Sequence, residues 1–141
     1  IHVGNLSVGL ARAAYEHALS YAHERKQGGI AIIHHQNVRH RLFHMFRKVE
    51  AARALTRRAA EYNATAPQPA LQGSISAKIT GTQTAFEVAS EALQIFGGNG
   101  LTKEYPMEKL LRDARAGMIA DGCNEMLAIK GCTLLINDDL L

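Results

Sequence analysis

The sequence predicts an all-α fold, an antiparallel four-helix bundle, on three observations. Apolar residues recur at helical spacing over long segments, the breaks between them fall on glycine or proline clusters, and no segment sustains the period-2 alternation of a half-buried strand. With 141 residues and 47% apolar content, the chain is long enough for one domain, expected over 1–141, with its own core. It contains no internal repeat or low-complexity tract.

The first helix carries Val3, Leu6, Leu10, Ala14, Ala18 and Tyr21 along one face to about Glu24. Gly28 and Gly29 break the pattern. A second periodic set, Val38, Leu42, Met45, Val49, Ala52 and Leu55, predicts a helix from His35 to Ala64. At 1.5 Å per residue such a helix reaches about 45 Å, a length that suits a bundle. Pro67 and Pro69 end it, and Ser74 or the residues just before it open a third helix bearing Ile75, Ile79, Phe86, Ala89 and Leu93. Gly97, Gly98 and Gly100 stop the third helix. Pro106 suits the first position of a short helix through Leu110, Leu111 and Ala114, with Glu104 and Glu108 near its positive end. Gly117 and Gly122 interrupt it, and a last helix from about Cys123 carries Met126, Leu127, Ile129, Leu134 and Leu135 before the polar Asn137, Asp138 and Asp139.

Composition excludes several classes of function. No apolar stretch approaches the roughly 20 residues of a membrane-spanning helix, and none reads as a targeting segment. Cys123 and Cys132 form neither a Cys-x-x-Cys pair nor a disulfide framework, which points to a reducing, cytoplasmic setting. Sixteen Lys and Arg against thirteen Asp and Glu leave a net charge of +3, too small to demand an anionic partner. Arg39, Arg41, Arg47, Lys48, Arg53, Arg57 and Arg58 share one segment, but no aromatic residues interleave with them as a single-strand nucleic-acid platform requires. A solvated helix face is the better reading, and no nucleic-acid partner is expected.

The di-metal carboxylate motifs common in bundles are missing from the sequence. His40 and His44 share a face at i and i+4 but lack a third ligand in sequence, so they read as polar surface histidines rather than a metal site. His34 and His35 read as residues of a helix-entry loop. Gly97, Gly98, Asn99 and Gly100 could let backbone N–H groups approach a phosphate, or could simply stop a helix. Because they follow a helix rather than a strand, they are not a Rossmann fingerprint.

The run Ala92, Leu93, Gln94, Ile95, Phe96, Gly97, Gly98, Asn99 and Gly100, followed by Glu104, Tyr105, Pro106, Glu108, Lys109, Arg112, Asp113 and Ala114, resembles the acyl-CoA dehydrogenase family. Upstream, Tyr21 through Arg25, then Gly29 and Gln36, resemble that family's Arg, Phe-Gly pair and Gln at the start of the next helix. Gly28 stands where the family usually has Phe, so that aromatic is missing here. The resemblance covers nearly the whole chain and implies the C-terminal helical domain of a larger flavoenzyme, whose N-terminal helical part and middle β-domain this chain does not show.

The resemblance implies an enzyme using flavin adenine dinucleotide (FAD) to introduce a Cα–Cβ double bond into an acyl-CoA, passing electrons to a separate acceptor and assembling as a homodimer or homotetramer. It places Arg25 at the cofactor's diphosphate, with Gln94, Gly97 and Gly98 lining that same end across a dimer interface. Guanidinium forks pair well with phosphate, and glycine leaves room for the backbone to approach it. Arg112 and Asp113 read as a structural pair. Many members carry a Glu-Gly base just before the last helix, and Asp121 with Gly122 occupies that position here; read without the resemblance, Asp121 is a helix-entry residue. Aspartate there also resembles nitroalkane oxidases and certain alicyclic acyl-CoA dehydrogenases. Other relatives carry the base on the first helix, at a position that would fall just before Ile1. Cys123 and Glu125 are further candidates for cofactor contact by position. The isolated domain is expected to be inactive, and a non-catalytic helical interaction module is the alternative from another class.

Overall fold

The computed structural model describes residues 1–137. Helices α1 (His2–Glu24), α2 (Gln36–Thr65), α3 (Leu71–Phe96) and α5 (Asn124–Asn137) are the long members of the bundle, and α4 (Met107–Gly117) is a short one. Asp138 and Asp139, expected to mark the end of the last helix, lie outside the described residues. The all-α expectation holds, with one addition between α1 and α2. There β1 (Lys26–Gln27) and β2 (Ile30–Ala31) pair antiparallel, with Lys26 opposite Ala31. Gly28 at φ +62° and Gly29 at φ +83° supply the two positive φ values of a two-residue hairpin turn whose twist matches its strands. Two-residue strands are too short to show a sequence period.

Helix α3 is the central element, contacted by α1, α2, α4 and α5. On α1 the expected Ala14, Ala18 and Tyr21 are buried, but the N-terminal half departs from the expected face: Gly4, Ser7, Val8 and Ala11 are inside, whereas Leu6 is 62% exposed. Small residues occupy the seam because the two backbones nearly touch. A Cβ built on Gly81 would lie 2.6 Å from the Gly4 carbonyl oxygen, and one on Gly4 would lie 2.8 Å from that of Ala77. Around this crossing Ala77, Ala85, Ala89 and Ala92 of α3 are fully buried, and larger residues such as Leu10, Phe86 and Leu93 pack at its rim. On α2 the expected face is correct at its centre, with Leu42, Met45, Val49 and Ala52 all buried.

The α2–α3 turn is clamped by Asn63, whose side chain accepts from the Ala70 N–H at 2.7 Å and donates to Ser74 Oγ at 2.7 Å. Most of the basic segment on α2 is engaged within the chain. Arg41 and Lys48 reach Glu91 and Glu87 on α3, Arg53 pairs with Glu50, and Arg47 donates to His44. Arg112 and Asp113 do not pair with each other: Arg112 reaches Glu108 and Asp113 reaches Lys109. Neighbouring residues on a helix diverge, while residues four apart share a face.

Candidate functional site

The sequence-predicted site residues form two groups at opposite ends of α3. The first surrounds a cavity of about 220 Å³ lined by Arg25, Gln94, Gly97 and Gly98, with Tyr21, Phe96 and Asn99 beneath. It adjoins a larger groove through Gln27, Ile32, Gln94 and Ile95.

Arg25 caps the C-terminus of α1 in extended conformation, its N–H bonded to Tyr21 O at 2.8 Å and its carbonyl accepting from Ile32 N at 2.8 Å. Its backbone is therefore held from both sides while its side chain stays exposed. Gln94 lies on the last turn of α3, also exposed. The glycines divide by role. Gly97 caps α3 at φ +60°, ψ −140°, a conformation essentially reserved for glycine, so the helix-stop reading is correct there. Gly100 is packed, since a Cβ would lie 2.9 Å from the Leu93 carbonyl oxygen. Gly98 faces neither demand: an added Cβ meets nothing within 4 Å, and its backbone is open to the cavity.

An aromatic floor that the sequence reading missed supports this end. Tyr21 and Phe96 stack with centroids 4.0 Å apart, Tyr105 meets both edge-on at 5.7 and 5.2 Å, and Asn99 Nδ2 donates to the Tyr21 hydroxyl at 2.9 Å. Tyr21 sits at the helical spacing of a core residue, and the aromatic cluster forms only when α1, α3 and the 105 region meet. One exposed guanidinium, open glycine backbone and a rigid floor together suit a diphosphate, so the residues present fit that end of a dinucleotide.

The second group lies on the loop between α4 and α5. Asp121 is exposed and adopts φ +53°, the one non-glycine residue with positive φ among those described, and Gly122 follows at φ +96°. Aspartate is among the few residues that enter this region at modest cost. Asp121 is not the cap of α5. That position falls to Cys123, whose carbonyl accepts from Leu127 N at 3.0 Å.

Sequence reading also missed the side chains beneath this loop. Lys78 of α3, only 4% exposed, donates from Nζ to Gly122 O at 2.8 Å, Asn124 Oδ1 at 2.8 Å and Met118 O at 3.4 Å. Asn124 Nδ2 in turn donates to Thr82 Oγ1 at 3.0 Å. Burial pushes the Lys78 ammonium below the usual lysine range, and the nearby Cys123, Asp121 and Glu125 oppose that shift. A lone lysine amid apolar helix positions reads as a surface residue, so only an alternative role for position 78 on the buried face could have flagged it.

Cys123 and Glu125 accompany Asp121, not Arg25. The 16 residues from Lys78 to Gln94 correspond to about 24 Å along α3, so one chain does not bring all the cofactor candidates to a single cavity. His40 and His44 are near neighbours, with ring centroids 4.3 Å apart. Among the described residues, no group of three or more His, Cys, Asp and Glu is placed to hold a metal ion.

The family model described as "Acyl-CoA dehydrogenase, C-terminal domain" matches residues 1–130. An acyl-CoA dehydrogenase of Bacillus subtilis is 38% identical over 126 residues, covering 89% of this chain and 33% of the relative. The solved structure of butyryl-CoA dehydrogenase from Megasphaera elsdenii superposes with a TM-score of 0.91 at 32% identity, covering 96% of this chain and 35% of that one. Nitroalkane oxidase, solved with the competitive inhibitor spermine, superposes at 0.88 with 27% identity, covering 96% of this chain and 32% of that one. The chain thus spans about a third of the length of the curated relatives it matches. With five α-helices among its described residues, a glycine-capped α3 and the match over residues 1–130, the chain belongs to the acyl-CoA dehydrogenase family, as its C-terminal helical domain.

Proposed function

We propose that this bundle is part of a larger FAD-dependent acyl-CoA dehydrogenase that desaturates the Cα–Cβ bond of an acyl thioester. The observation that carries this reading is the convergence of Arg25, Gln94, Gly97 and Gly98 on one cavity with an open backbone and an exposed guanidinium whose own backbone is held. Arg25 pairs with the diphosphate, Gln94 offers amide donors beside it, and Gly98 admits it to backbone contact. Asp121 takes the α-proton, for which an exposed carboxylate on a held loop is suited. A bound FAD would supply the hydride-accepting chemistry at the β-carbon that completes the Cα–Cβ double bond once Asp121 holds the α-proton.

The distance between the two groups supports an oligomer in which one chain's Arg25 end and another chain's Asp121 loop serve a single cofactor. Cys123 and Glu125 then lie toward its flavin end. A separate electron acceptor would complete the turnover, and the two unpaired cysteines accord with a reducing cytoplasm. No helix among the described residues is long and apolar enough to cross a membrane.

A second reading, a nitroalkane-oxidase-like enzyme, is favoured by aspartate at position 121 together with the superposition on nitroalkane oxidase. Both readings need a carboxylate that removes a proton from carbon, and they differ in the carbon acid. Dye-coupled turnover by the full-length protein, measured on acyl-CoA thioesters of graded length and on nitroalkanes, separates them. Turnover confined to thioesters supports the first reading, and turnover confined to nitroalkanes replaces it with the second.

A further inference from the structure

We propose that Lys78 is a positioning residue for proton abstraction: its buried side chain fastens the loop carrying Asp121, so that the carboxylate meets substrate from a backbone already held. The inference rests on the dehydrogenase reading and adds to it a residue from another helix.

Lys78 occupies a position where an apolar residue would pack at no electrostatic cost. Burying an ammonium is unfavourable unless every N–H finds an acceptor. Here the three N–H groups meet three acceptors, Met118 O, Gly122 O and Asn124 Oδ1, all in the segment that brackets Asp121. Asn124, 6% exposed, is itself fixed by the Thr82 hydroxyl, which donates back to the Lys78 carbonyl at 3.0 Å. No buried side-chain nitrogen or oxygen among the described residues lacks a partner, so this network is complete.

The loop needs such a grip. Ile119, Ala120, Asp121 and Gly122 are all exposed and bury too little surface to define a conformation. Asp121 at φ +53° carries a modest cost that glycine in its place would not, so contacts that hold the turn help to keep it there. Lys78 bonds to the Met118 carbonyl before Asp121 and to the Gly122 carbonyl and the Asn124 side chain after it, so the constraint acts on both sides of the turn. A shift of about 1 Å at a proton-transfer geometry can cost on the order of 100-fold in rate.

The test uses the full-length protein and compares wild type with Lys78→Met, which keeps the length of the side chain and removes its donors. Amide hydrogen exchange reads the grip, and α-deuterated against α-protiated acyl-CoA reads the proton step. The expected result is exchange about tenfold or more faster at residues 118–124, unchanged at the Gly4–Gly81 seam. Alongside it, kcat should fall roughly 10- to 100-fold with a larger α-deuterium isotope effect, while KM and the bound-flavin spectrum stay near wild type. A role confined to stability would lower melting temperature and flavin content and leave kcat per bound flavin and the isotope effect unchanged, which overturns the inference. Should Lys78→Met fail to fold, Thr82→Val removes the far end of the network, and the same signature at smaller amplitude is required. An active wild type whose loop exchange or isotope effect is unmoved by both variants overturns the role of Lys78 alone. A wild type that turns over no acyl thioester overturns the dehydrogenase reading, and the inference with it.

Discussion

Gly81→Ala should separate two opposing effects within one helix. In an exposed helix interior, alanine is favoured over glycine by up to about 1 kcal/mol. At position 81 the new Cβ would lie 2.6 Å from the Gly4 carbonyl oxygen, 0.8 Å inside the 3.4 Å at which ordinary contact begins, with Gly4 Cα at 3.1 Å. Every atom it meets is backbone, so no rotamer change relieves the clash. The helices must part, and a gap of 0.5–1 Å forfeits roughly a quarter to a half of each dispersion contact along the seam. Overpacking of this kind typically costs about 1–3 kcal/mol; with a rigid obstacle we expect the upper half of that range, for a net loss of about 1–2 kcal/mol after the propensity gain. Gly73→Ala is the control: it lies on the same helix, its nearest neighbour would be Ala70 Cβ at 3.9 Å, and it should stabilise by about 0.5–1 kcal/mol. Urea denaturation followed by far-ultraviolet circular dichroism reads both as shifts in midpoint at constant slope. Equal signs for the two variants, or a neutral Gly81→Ala, would refute the close crossing of α1 and α3.

Burial, then the neighbouring His40, Arg47 and Lys48, hold His44 below its usual pKa of 6.5, and Arg47 Nε donates to its Nδ1 at 2.8 Å, a bond that a protonated ring cannot accept. The unfolded chain thus binds more protons just below pH 6.5, so His44's contribution is present above that pH and lost as pH falls through the folded value; His44→Gln should flatten stability over that window in pH-dependent melting. Asp121→Gly should relieve the φ +53° conformation and raise stability by up to about 1 kcal/mol while abolishing turnover, a divergence that melting and activity assays on one preparation would show. Arg25→Leu should weaken FAD binding by roughly 10-fold or more, measured by flavin retained on gel filtration, with helical content unchanged because the side chain is exposed.

Helix boundaries were legible because glycine and proline mark them: α2 begins and ends within a residue of the expected His35 and Ala64. On α1 the expected Ala14, Ala18 and Tyr21 are buried, but the N-terminal half was not legible, because a hydrophobic period points at Leu6 and Leu10, whereas a close backbone crossing selects Gly4, Ser7 and Ala11. The same holds at the sites. Arg25, Gln94, Gly97 and Gly98 were read from a resemblance, and the structure adds that a single chain gathers them while keeping Asp121, Cys123 and Glu125 at the other end of α3. Lys78 and the Tyr21–Phe96–Tyr105 floor depend on contacts between distant segments, which no local pattern encodes.

The most direct measurement is the visible spectrum of the full-length protein, recorded without oxygen before and after addition of a panel of acyl-CoA thioesters. The dehydrogenase reading predicts a bound flavin that bleaches with at least one thioester and does not bleach with that thioester in Asp121→Asn. A colourless protein that cannot be reconstituted with FAD, or a flavin that no thioester reduces, would contradict it.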